Sequence, residues 1–138
     1  MTNLWMLSKE SMKGMDILAV TNDVLYILEQ NATGEKLLDE DLKKLRNGCA
    51  LLEILASAAR EQISKGQQKD LFMLRVVEFL EKTLGLQPSK LAERLEVTQN
   101  QLEQCRITSE ITELFEQISK AVMSMTSRSV DAVSISLR

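Results

Sequence analysis

Glu78 with Glu81 and Glu93 with Glu96 form two E-x-x-E pairs. Residues three apart share one side of a helix, so two such pairs on facing helices can hold a magnesium ion between them. The same spacing is the ordinary form of a solvated helix surface, and that is the expectation here. Cys49 and Cys105 are far apart and make no C-x-x-C pair, which removes a redox motif and a zinc ribbon. A thiol on an apolar stripe, as at Cys49, behaves as a small hydrophobe. The chain contains no histidine, so His-dependent triads, His general bases and imidazole metal sites are all excluded. No G-x-x-x-x-G-K, G-x-G-x-x-G or G-x-S-x-G stretch is present to cradle a phosphate or present a nucleophile. The chain is therefore expected to have no catalytic centre, no metal and no cofactor.

The elements that would carry these residues are helices. From Leu38 the apolar residues Leu42, Leu45, Cys49, Leu52, Ala56, Ala59 and Ile63 follow in steps of four and three, which keeps one stripe of a helix facing the same neighbour. Leu51, Ile54, Leu55 and Ala58 widen that stripe toward a bundle core. Asp39 or Thr33 is expected to cap its start and Gly66 to follow its end. Gly48 within it reads as a small-residue contact or a weak point.

Met15 to Leu28 predicts a largely buried helix, with Ile17, Val20, Val24 and Ile27 on one face. Asp70 to Leu84 predicts another, closed by Gly85 at positive φ, Leu86 packing back and Pro88 opening the next element. A last long helix is expected from about Ser109 to Met125, on Ile111, Leu114, Ile118, Val122 and Met125. Beyond it Val133, Ile135 and Leu137 alternate with polar residues, which reads as a flexible tail or, more sharply, as a strand that docks on a partner. Residues 1–13 are expected to form an arm or short helix. In it Leu4, Trp5 and Leu7 make a small apolar patch that packs on the bundle or anchors a partner.

Composition agrees with helices: of 138 residues only five are Gly and one is Pro, too few for the turns of an all-β fold. The net charge of −3 gives no general attraction to nucleic acid or to an anionic membrane. Nothing approaches a membrane span, and the N-terminal apolar run is too short for a signal peptide core. A cytoplasmic location is expected.

Residues 88–106, PSKLAERLEVTQNQLEQCR, resemble the helix-turn-helix of bacterial-type DNA-binding regulators. The likeness rests on Leu91, Ala92, Leu95, Val97 and Leu102, and on a T-x-x-Q capping box at Thr98 and Gln101 with Val97 and Leu102 as its staple. It implies a second short helix starting at Thr98, with Gln99, Asn100 and Glu103 toward base edges and Lys90, Arg94 and Arg106 toward phosphates. The turn position holds Glu96 where the family has Gly, and Glu93, Glu96 and Glu103 cancel the three basic residues. The two E-x-x-E pairs are similar to the acidic helix motifs of all-helical nucleotide pyrophosphatases, although the second pair of that family ends in Asp.

These readings converge on an all-α, four-helix-bundle-like domain over residues 14–126, with a short helix-turn-helix-like pair near 88–106 and a Ser-rich tail over 127–138. The expected function is a protein-protein interaction or homo-oligomerisation module without catalytic activity, acting through the long stripe and the terminal segments. A DNA-binding regulator is the alternative, and a magnesium-dependent pyrophosphatase the remote one.

Overall fold

The computed structural model describes residues 15–34, 36–64 and 71–137, with side chains over 17–34, 36–63 and 71–125. The chain is all-α: α1 (Met15–Ala32), α2 (Asp39–Ser64), α3 (Leu71–Leu84), α4 (Pro88–Glu103) and α5 (Ser109–Leu137). Buried apolar side chains from all five helices form one continuous core. The most extensive contact is α2 against α4, followed by α1 against α5 and α1 against α2. Cys49 lies opposite Gln99 while Arg60 pairs with Glu96, so α2 and α4 run in opposite directions. None of the described helices is long and apolar enough to cross a membrane.

The helix ends follow from local chemistry. At the start of α2 the Leu38 N–H donates to Asp41 Oδ2 at 3.0 Å. This third-position carboxylate satisfies an orphan donor of the first turn, in place of the expected cap from Asp39 or Thr33. Thr33 instead donates to the Gln30 carbonyl at 2.7 Å, at the close of α1. Gly85 ends α3 at φ +66, with the Leu86 N–H donating back to the Glu81 carbonyl at 3.2 Å and Pro88 opening α4, as its sequence predicts. Gly66 lies outside the described residues.

Gly48 is the close contact of the interior. A methyl group there would sit 2.7 Å from Val24 Cγ2 and 3.5 Å from Phe115 Cζ, so α1 and α5 both approach α2 at a point where it has no side chain. The two neighbours are themselves fully buried, which leaves them little room to retreat.

Two expectations are corrected. Residues 88–103 are one uninterrupted helix, with no turn at Glu96 and no second start at Thr98. Thr98 is buried, and its hydroxyl donates to the Arg94 carbonyl one turn earlier at 2.9 Å, an interior role open to any helical Thr and opposite in sense to capping. The second correction concerns the C-terminus, where α5 passes Met125 and continues to Leu137 rather than giving way to an extended segment. Val130, Val133 and Leu137 are spaced three and four, which suits a helix as well as the alternation of 133, 135 and 137 suits a strand. The arm at residues 1–13, with Leu4, Trp5 and Leu7, lies outside the described residues.

Candidate functional site: a groove along the fourth helix

The long stripe of α2 is not a free surface. Leu45, Cys49, Leu52, Ala56 and Ala59 are all 5% exposed or less, covered by the chain's own helices, and only the two ends, Leu38 and Ile63, emerge. The expectation that this stripe meets a partner is therefore replaced by an internal role.

α4 has a buried side and an exposed one. Leu91, Leu95, Thr98 and Leu102, in steps of four, three and four, are buried, with Ala92 beside them. Along its more exposed side runs a groove of about 310 Å³, lined by Leu86, Lys90, Glu93, Arg94, Val97, Thr98 and Gln101, with Glu110 from the first turn of α5, so that Thr98 borders both the core and the groove. Its apolar part is Leu86, half-buried, and Val97, 49% exposed. Its charged part is two basic and two acidic side chains, and none of the four makes an ion pair among the described residues. An apolar centre bounded by polar and charged groups is the usual anatomy of a protein interface.

Of the residues expected to contact DNA, Lys90 and Arg94 lie together in this groove, whereas Gln99, Asn100 and Arg106 are not among its lining. Gln99 is half-buried on the side facing α2, where its carbonyl accepts from Cys49 Sγ at 3.7 Å. Asn100 is exposed, and Arg106 is exposed beyond the end of α4, its N–H closing the helix on the Gln101 carbonyl at 2.8 Å. The five residues thus do not present one face in the way two crossed short helices would. Val97 was the residue whose role the sequence concealed: placed as a staple, it is instead the exposed apolar centre. The available signal was its position one step off the stripe Leu91, Leu95, Thr98, Leu102.

The two E-x-x-E pairs do not assemble. Among the described residues no group of three or more acidic or cysteine side chains converges as a metal site. Glu96 is engaged by Arg60, an ion pair that ties α4 to α2. Glu81 is half-buried, and its Oε1 is enclosed with no hydrogen-bond partner among the described residues. That enclosure, with the nearby Glu78 adding to it, holds the Glu81 carboxyl above the usual carboxylate range.

The cysteines are both free, Cys49 buried and Cys105 exposed. Burial pushes the Cys49 thiol up to about 12, with repulsion from Glu103 and Cys105 adding to it, so at neutral pH it is a protonated, unreactive packing group. Cys105 sits at φ +56 just past α4, the left-handed position that glycine ordinarily fills at a helix end.

Comparison with known proteins finds no matching family model, no similar curated protein and no similar solved structure. The groove and its chemistry are thus the guide to function.

Proposed function

We propose that the chain is a helical protein-protein interaction module without catalytic activity, and that it meets its partner at the α4 groove. The observation that supports this most directly is Val97. It is a β-branched apolar residue left 49% exposed on a helix whose other large apolar residues are buried, in a groove it shares with Leu86 and four charged side chains that make no ion pair among the described residues. Exposed apolar groups rimmed by polar ones are the common mark of an interaction surface. Two free cysteines, one of them exposed, suit a reducing compartment such as the cytoplasm.

The test is a photo-crosslinking amino acid placed at position 97, with exposed Lys120 on α5 as the control site. The expected result is a discrete covalent adduct from position 97 and none from position 120. Equal adducts from both sites, or none from either, would sink the proposal.

A DNA-binding regulator stands as a second reading, supported by Lys90 and Arg94 on neighbouring turns of α4, neither in an ion pair among the described residues. Glu93 and Glu110 in the same groove oppose it, since a neutral face releases few counterions on binding. Binding to mixed duplex DNA that falls steeply with salt, and weakens in Arg94→Ala and Arg106→Ala, would favour this reading over the first. No binding at low salt would leave the protein partner.

A further inference from the structure

We infer that the N-terminal segment around Trp5 docks on its own chain and covers Ile63 at the end of α2. The inference concerns a different part of the molecule from the α4 groove and does not depend on it. Ile63 closes the long apolar stripe of α2. Ala56 and Ala59 before it are 1% and 0% exposed, whereas Ile63 is 49% exposed. The pairing of α1 with α2 accounts for the change. The short connection over 33–38 joins two helices that pack on each other, so they run antiparallel. Val24 of α1 meets α2 at Gly48. Met15, nine residues before Val24, therefore comes level with position 57, nine after Gly48. Ile63 stands six residues further on, about 9 Å past the described start of α1.

Direction agrees with level. Fifteen residues from Gly48 make a little over four helical turns, so Ile63 points within about 60° of the direction in which Gly48 meets α1. A chain that leads into Met15 along the line of α1 passes beside it. The sequence that leads in carries four apolar residues together, Leu4, Trp5, Met6 and Leu7, outside the described residues. Trp5 stands ten residues ahead of Met15, a reach of about 15 Å as helix and about 33 Å extended, so Ile63 is accessible to it in either form. Tethering favours this occupant over a separate one. A segment held by so short a link is present at an effective concentration in the millimolar range, and closing the loop costs little. A free partner at micromolar concentration competes poorly with it.

Trp5 is the one tryptophan of the chain, so selectively excited fluorescence of the full chain reports on it alone. The expected emission is blue-shifted from that of the same chain in denaturant, shielded from acrylamide, and unchanged on dilution. Ile63→Asn should move it to the red and steepen the quenching, because the docking surface then holds an amide in place of an apolar group. Leu38→Asn is the control, since Leu38 emerges at the opposite end of the same stripe, 66% exposed, and should leave Trp5 unmoved. Both positions are half in water or more, so the helices should survive, as far-UV circular dichroism reads. Wild-type emission matching that in denaturant overturns the inference before any variant is made. Shielding that is lost on dilution overturns it as well, and names a second copy as the cover. A shielded Trp5 that ignores Ile63→Asn, or responds equally to Leu38→Asn, places the segment elsewhere and also overturns it. None of these outcomes touches the crosslink expected from position 97, so the two readings fail separately.

Discussion

The two faces of α4 are built from the same 16-residue segment and serve opposite ends. The inner face sets Leu91, Leu95 and Leu102 at 0–1% exposure against the rest of the core. The outer face leaves Val97 half in water among four charges that make no ion pair among the described residues. The apolar burial that α4 contributes to folding comes through the inner face, so substitutions on the outer one should cost the fold little. A helix in that position can hold a binding surface steady while taking no stability from it.

The sharpest separation concerns the two thiols that flank α4. Cys49, against the inner face, has a pKa raised from 9.0 to about 12, which alone cuts its thiolate about 1000-fold relative to an ordinary thiol. Mass spectrometry after brief alkylation of the native chain should find Cys105 modified and Cys49 untouched, and denaturant should bring the two level. Comparable native labelling would mean that the α2–α4 contact opens readily. Next, Leu95→Ala should lower the unfolding free energy by about 3 kcal/mol through lost transfer energy and a residual cavity, as read by urea denaturation.

A smaller effect depends on pH. Because the folded-state pKa of Glu81 lies above its ordinary value of 4.5, protonation favours the folded form. Its contribution is full below 4.5 and is lost as pH rises through the raised folded value. Glu81→Gln, neutral throughout, should therefore flatten that decline, and a melting-temperature series from acid to neutral pH checks it. An unchanged slope would show that the enclosed oxygen is hydrated in solution. The smallest effect belongs to the outer face, where Val97→Ser should shift unfolding free energy by no more than about 0.5 kcal/mol. A loss of several times that would mean Val97 is part of the core and end the contrast between the faces.

Much of the fold was legible in the sequence because burial imposes periodicity. The four-and-three steps from Leu38 to Ile63 became α2, and Gly85, Leu86 and Pro88 together stopped one helix and started the next. The second half of α4 was misread for a local reason. A Thr three residues ahead of a Gln looks the same whether its hydroxyl caps a new helix or bonds back to the preceding turn, and Thr98 does the latter. The C-terminal segment failed similarly, since its apolar residues satisfy two periods at once. The destination of the α2 stripe was beyond sequence, because an apolar face records that it is covered and not by whom. The groove needed the chain to fold before Leu86, Val97 and Glu110, from three parts of the sequence, could share a wall.

The close approach at Gly48 carries a consequence for how this chain can diverge. With only 2.7 Å between the place of a methyl at position 48 and Val24 Cγ2, those two positions share one fixed volume. A larger residue at 48 is best accommodated when 24 shrinks to make way, and a smaller residue at 24 alone leaves a void that a methyl at 48 would fill. Among descendants of this sequence positions 24 and 48 should therefore drift as a pair, a signature in inheritance of a contact that no motif announces.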